Sequence, residues 1–208
     1  MIQEKLILVG AGGHSVACID VIEQEGRFTV AGLVGLDHEV NSSQFGYQIL
    51  GSDSSLDSLV NLYPFALISL GQIVSAENRI RLYSQVLDAG FSLVTVIAPS
   101  AYVSPRAVIG PGTIVMHGAI INAGVKVGSN CIINSNSLLE HEVQIGDHCH
   151  VSTGVILNGE SSVGSGSFIG SGSIVKQGVS IGVNTVVGMG SVVRYDIKDG
   201  LKFLGNSK

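Results

Sequence analysis

Four histidines stand in the second half of this chain, His117, His141, His148 and His150, and imidazole is the side chain best suited to moving a proton near neutrality. Its unperturbed pKa of about 6.5 lets it take a proton from an attacking amine or hydroxyl, and a carboxylate on the other ring nitrogen fixes the tautomer that can do so. His141 is followed directly by Glu142. The same four imidazoles are candidate donors to a zinc ion. A second feature with chemical use lies near the start, where Gly10-Ala11-Gly12-Gly13-His14-Ser15 follows the apolar run Leu6-Ile7-Leu8-Val9. Glycines in such a turn let backbone N–H groups approach a phosphate at a helix N-terminus, where the dipole also favours negative charge.

The elements that hold the histidines are dictated by a repeat. An aliphatic residue stands at every sixth position from Val103 to Val193 without a miss, sixteen in all. Two residues before each sits a second column, from Ala101 to Ser191, that holds only Ala, Val, Cys, Ser and Thr. A period of six excludes a helix at 3.6 and a coiled coil at seven, yet it is a multiple of two and suits short strands rich in Val and Ile. Such repeats cannot bury a face alone and gain stability by stacking. With three strands to a triangular coil, residue n lies under n+18 at roughly 4.8 Å. One column is expected to fill the interior and the small-residue column to fit a tight corner. Ile-Gly and Val-Gly steps such as Ile109-Gly110, Val127-Gly128 and Ile145-Gly146 are expected to use the freedom of glycine at positive φ, with Asn122, Asn134 and Asn158 as substitutes. Cys131 and Cys149 are eighteen apart in the small-residue column. Packing therefore accounts for them, and for Cys18, better than disulfides do.

The first hundred residues alternate strands and helices. Strands are expected at Lys5–Val9, Thr29–Val34, Ile49–Gly51, Phe65–Leu70 and Leu93–Ile97. Helices follow the glycine turn as far as Gly26 and span about Ser54–Leu62 and Ser75–Ala89. This order implies a parallel sheet in a small Rossmann-like domain. Ser15 replaces the third glycine of the dinucleotide fingerprint, so a full dinucleotide site is not expected. Two domains result, residues 1–98 (Rossmann-like α/β) and 99–208 (an all-β coil of hexapeptide repeats with a short C-terminal tail).

With 208 residues, a net charge of −5 and no basic cluster, the chain is not suited to nucleic acid or an anionic membrane surface. Its apolar runs are far shorter than a membrane span and its start lacks the pattern of a signal peptide, so a cytoplasmic location is expected. Charge within the repeat is scarce. Outward positions such as Met116, Ile120, Ile132, Leu138, Ile156 and Phe168 would leave an isolated prism broadly apolar, which predicts an obligate homotrimer packed side against side. The N-terminal domain and the tail are expected to cover the open ends.

The hexads and their Ile-Gly steps resemble the hexapeptide-repeat, left-handed parallel β-helix acyltransferases, and the left hand is implied by that resemblance. Further stretches resemble one subfamily over nearly the whole chain, the bacterial sugar acetyltransferases of the sialic acid O-acetyltransferase and nucleotide-linked amino-sugar N-acetyltransferase type. They are Gly10–His14, Ile68-Ser69-Leu70-Gly71, Pro99-Ser100-Ala101, Leu139-Glu140-His141-Glu142 and Ile145–Val151. Ala98 departs from the histidine often found there, and the ending Gly205-Asn206-Ser207-Lys208 only approximates the family's Pro-containing tail.

The resemblance implies His141 as catalytic base with Glu142 holding its ring. It also implies Gly159, one coil on by the eighteen-residue rule, as donor to the thioester oxyanion. His150, Ser171 and Met189 correspond to acetyl-CoA contacts, and Gly12, Gly13, His14, Asp37 and Gly71 to a nucleotide-sugar pocket, with Asn134 near the sugar. The implied activity is acetyl-CoA-dependent N-acetylation of a nucleotide-linked amino sugar, of the UDP-4-amino-4,6-dideoxy type, for bacterial glycan biosynthesis without a metal. One alternative is O-acetylation of sialic acid. Another is a trimeric γ-type carbonic anhydrase-like zinc enzyme using three of the four histidines, although their spacing does not match that family's.

Overall fold

The computed structural model describes residues 3–205; Asn206, Ser207 and Lys208 of the tail lie outside them. The N-terminal part is built from β1 (Glu4–Val9), α1 (Gly13–Glu25), β2 (Phe28–Gly35), β3 (Ser43–Gln44), β4 (Tyr47–Ser52), α2 (Leu56–Leu59), β5 (Phe65–Ile68), α3 (Glu77–Asp88) and β6 (Ser92–Leu93). Their sheet runs β3-β4-β2-β1-β5-β6, parallel except for the β3–β4 hairpin. β1 has β2 on one side and β5 on the other, so the strand order reverses at β1 and opens a crevice at its carboxyl end. All four residues Leu6–Val9 are buried, as a strand covered on both faces requires. α1 stops at Gly26, whose φ of 74° supplies the left-handed cap.

The expected strand Leu93–Ile97 is split in two. Leu93 pairs with β5, whereas β7 (Val96–Ile97) pairs with Ile114–Val115 and already belongs to the coil. From there the chain winds as two-residue strands into three parallel sheets, each partner eighteen residues on except the last, Lys202–Phe203, which lies sixteen beyond Val186–Val187. One face carries β7, Ile114–Val115, Ile132–Ile133, His150–Val151, Phe168–Ile169, Val186–Val187 and Lys202–Phe203. A second runs from Tyr102–Val103 to Val192–Val193, and a third from Val108–Ile109 to Ser180–Ile181. The aliphatic column fills the interior, and so does the small-residue column: Ala119, Val125, Cys131, Val143, Cys149 and Val155 are buried in the same core. All three cysteines are free and buried.

Glycine serves the coil in two ways, and the column expected at positive φ is not the one that has it. At Gly110, Gly128 and Gly164 a Cβ would lie between 2.5 and 2.7 Å from backbone of the next coil, so close approach excludes a side chain. The left-handed residues form a separate column, fourteen positions spaced by six from Gly112 to Gly190. Asn122, Asn134 and Asn158 are not among them.

The N-terminal domain covers a side of the prism rather than an end. Cys18, Ile19 and Ile22 of α1 share a core with Val96, Ile114, Met116 and Ile132. Two of the outward apolar residues, Met116 and Ile132, are thus covered by the chain itself. Tyr102, Ile120, Leu138, Ile156, Ile174 and Val192 stack in one column on the second face and keep varying exposure. Among the described residues no helix is long and apolar enough to cross a membrane.

Candidate active site

His141 sits on the corner between the second and third faces, after Leu138–Leu139 and before Gln144–Ile145, opposite the face on which the N-terminal domain docks. Its imidazole lies against Gly159 of the next coil, where a Cβ would be 2.5 Å from both Cε1 and Nε2. Any side chain at 159 would occupy the ring's position. Glu160 N–H donates to His141 O at 3.0 Å, which locks the two turns together. The Gly159 N–H donates to no backbone carbonyl among the described residues. Glu142 places Oε2 at 3.5 Å from His141 Nδ1, so a proton on Nδ1 faces the carboxylate and Nε2 is left as the basic nitrogen on the Gly159 side. Glu140 is held elsewhere, accepting from Asn122 Nδ2 at 3.0 Å.

His150 occupies a different place. Its ring is buried between the docked face and the loop after β5, with Nδ1 donating to Gln72 O at 2.6 Å and Nε2 accepting from Asn134 Nδ2 at 3.2 Å. Phe168 stacks edge-on at 5.2 Å. Within one chain, His150 and Asn134 meet each other and not His141. Ser171 and Met189 lie one coil apart on the corner between the first and second faces; Ser171 Oγ bonds Ser152 Oγ at 2.8 Å, and Met189 is 83 % exposed.

The glycine turn lies at the crevice beside β1. A Cβ at Gly12 or Gly13 would meet nothing within 4 Å, and the start of α1 has no side-chain cap, so approach to its first N–H groups is unobstructed. The residue that needs glycine conformationally is Gly10, with φ 118°. A cavity of about 380 Å³ opens here, lined by Gly10–Gly12, Gly35, Glu39, Asp53, Asn78 and Arg81 among others. Asp37 is exposed on the 3-10 turn Asp37–Glu39 and is not in that lining; Glu39 is. His14 is half-buried beneath the turn, with its Nε2 enclosed, and a Cβ added at Gly71 would come to 3.6 Å from the His14 Cβ.

Comparison with known proteins places both halves. Residues 5–86 match the PglD N-terminal domain, residues 106–141 and 124–159 the six-repeat bacterial transferase hexapeptide, and residues 161–195 the hexapeptide repeat of succinyl-transferase. PerB from Caulobacter crescentus, crystallised with CoA and GDP-perosamine, is 35 % identical with a TM-score of 0.89 over 95 % of this chain and 92 % of its own. This chain belongs to the hexapeptide-repeat sugar acetyltransferases. The acetyltransferase domain of PglB from Neisseria gonorrhoeae, bound to acetyl coenzyme A, is 30 % identical with a TM-score of 0.88 over 96 % and 95 % of the two chains. WeeI from Acinetobacter baumannii, at 21 % identity and a TM-score of 0.82, shares the fold. The coil is the left-handed parallel β-helix of this family, and the protein is an acyltransferase that uses acetyl-CoA.

Two side chains that sequence reasoning passed over join the halves of the acetyltransferase. Arg79, fully buried on α3, donates from Nη1 to Ile68 O and Leu70 O and from Nη2 to Asn130 O and Oδ1 at 2.9 and 2.6 Å. Its place three residues before Leu82 and seven before Val86 was the available signal, since that spacing puts it on the buried face. Gln72 Nε2 donates to Gly166 O at 3.2 Å. The histidines considered for zinc are dispersed: His117 bonds Asp20 and Ser100, His148 bonds Asn130, and His150 is buried against Gln72.

The junction makes the acetyltransferase acid-sensitive. Burial first, then Arg79 and His150, holds His14 down to about 3. Burial also holds His150 down to about 4, opposed by its bond to Gln72 and reinforced by Arg79. Unfolded histidines take up protons near pH 6.5 while these two stay neutral in the fold. Stability is therefore fully present above pH 6.5 and is lost as pH falls through the window down to about 4 and about 3. Denaturant midpoints are expected to drop steadily between pH 7 and pH 4.5, as the unfolding free energy falls by roughly 5 kcal/mol in all. A flat midpoint over that range would contradict the buried neutral pair.

Proposed function

We propose that the chain acetylates the amine of a nucleotide-linked amino sugar, with His141 as general base. The observation that carries this reading is the imidazole seated on Gly159 with its Nδ1 turned to Glu142. The acceptor nitrogen gives a proton to His141 Nε2 as it attacks the thioester carbon. The Gly159 N–H donates to the oxyanion of the tetrahedral intermediate, which collapses with release of CoA thiolate. No protein nucleophile takes part, and Cys149 is buried in the coil. The open glycine turn and its cavity hold the nucleotide, with Gly12, Gly13 and His14 at the phosphates and Gly71 and Asp37 at its edges.

That pocket and His141 lie on opposite sides of one chain, so the reacting partners meet only between subunits. We assign the exposed apolar column of the second face to a homotrimer interface. The acetyl-CoA groove then runs between one subunit's His141 corner and the neighbour's corner bearing Asn134, Ser171 and Met189, with His150 behind it. Exchange of Ile120 and Ile156 for aspartate is expected to give monomers by light scattering, with turnover reduced by about two orders of magnitude or more. A fully active monomer would rule out the shared site.

The amine is favoured over a sialic acid hydroxyl because the glycine turn suits a phosphate-bearing acceptor, and the PerB complex holds a nucleotide-linked sugar. The expected class is a UDP-4-amino-4,6-dideoxy sugar. Thiol release from acetyl-CoA, measured against UDP- and GDP-linked 4-amino and 3-amino sugars and against sialic acid, tests this. Rapid release with sialic acid alone would transfer the assignment to O-acetylation.

A further inference from the structure

We infer that Glu160 is a second carboxylate acting on His141, a positioning residue that steadies the ring over Gly159 and stabilises the imidazolium formed when the acceptor proton is taken. The inference rests on His141 as base. Its starting point is the left-handed column: of the fourteen positions from 112 to 190, eight are glycine and three asparagine, the residues that adopt this conformation cheaply. The exceptions are Glu142, His148 and Glu160. His148 is accounted for at the domain junction, where it bonds Asn130 at 3.0 Å and meets the Tyr83 ring at 5.0 Å. The two glutamates are eighteen residues apart, both at φ 61°, on the corner that carries His141.

Folding gives no reason for them. Both are exposed, and glycine would suit either turn better. They do share one neighbour: the ligating atoms of His141, Glu142 and Glu160 all lie within 4.8 Å of one another. Glu160 also binds the backbone of His141 through its N–H at 3.0 Å, and Gln177, the next residue up the His141–Gly159 column, donates Nε2 to Glu160 Oε1 at 3.3 Å. One carboxylate thus stands beside the ring in its own turn and one in the turn above. A charge placed there costs little before the reaction and gains attraction as the ring becomes cationic, which is the differential effect that raises kcat. Unfavourable backbone conformations retained beside a reacting group are a recurrent mark of function.

The test replaces Glu160 by glycine, asparagine and glutamine in the full chain, with His141→Ala alongside. Glycine and asparagine fit the left-handed turn, so Tm is expected to hold or rise. For all three variants kcat with a nucleotide-linked amino sugar should fall by roughly five- to fifty-fold, with KM for acetyl-CoA within about twofold of the parent. Unchanged kcat in Glu160→Gly and Glu160→Gln, while His141→Ala is inactive, would overturn the inference and leave the base assignment intact. So would a loss of kcat that tracks a fall in Tm. An active His141→Ala would instead remove the base assignment itself, and the inference with it.

Discussion

His141→Ala is expected to lower kcat for acetyl transfer by about 10²- to 10⁴-fold, the usual contribution of a positioned general base. The effect should be confined to the chemical step. The side chain of His141 is 54 % exposed and packs chiefly on Gly159, so its removal leaves no cavity, and stability should change by less than about 0.5 kcal/mol. Thiol release under saturating acetyl-CoA, read together with a thermal melt, separates the outcomes. A variant with parental kcat would return the fold to a scaffold without chemistry at this corner.

Gly159→Ala is expected to cost about 100-fold in kcat, because displacement of a reacting group by about 1 Å is enough for such a loss. The alanine Cβ would stand 2.5 Å from His141 Cε1 and Nε2, and the exposed ring yields before the coil does. Gly159 is not among the residues at positive φ, so alanine fits the backbone and the melt should be nearly unchanged. This separates steric displacement of the base from damage to the fold. Gly200, at φ 69° with open space around its Cβ and on the corner away from both His141 and the Ser171–Met189 groove, is the control: alanine there should lower stability through its backbone and leave kcat alone.

The repeat was legible because its signal is local and redundant. Each coil restates the same interior column from Val103 to Val193, and the eighteen-residue step that stacks Ile120 on Leu138 also stacks Gly159 on His141. Misreadings arose where two physical causes favour the same residue. Glycine answers both to close approach, as at Gly110, and to left-handed φ, as at Gly112, and sequence does not say which cause applies. Contacts between the halves were not legible at all. Gln72 meets His150 across 78 residues and Arg79 meets Asn130 across 51, and no periodicity connects them. The same docking explains why Met116 and Ile132 are covered while Ile120 stays exposed and Ile156 half-buried. The resemblance points to Asp37 beside the nucleotide-sugar pocket, whereas the 3-10 turn directs Glu39 to the cavity, with its carboxylate accepting from Leu36 N–H at 2.7 Å.

Intact-mass measurement of the protein in single turnover, first with acetyl-CoA alone and then with a nucleotide-linked amino sugar added, tests direct transfer at the His141–Gly159 corner most closely. Direct transfer predicts no acetylated protein and no thiol in the first stage, then thiol and N-acetyl sugar released together in the second. Acetylated protein accumulating before the acceptor arrives, with ping-pong kinetics to match, would contradict it.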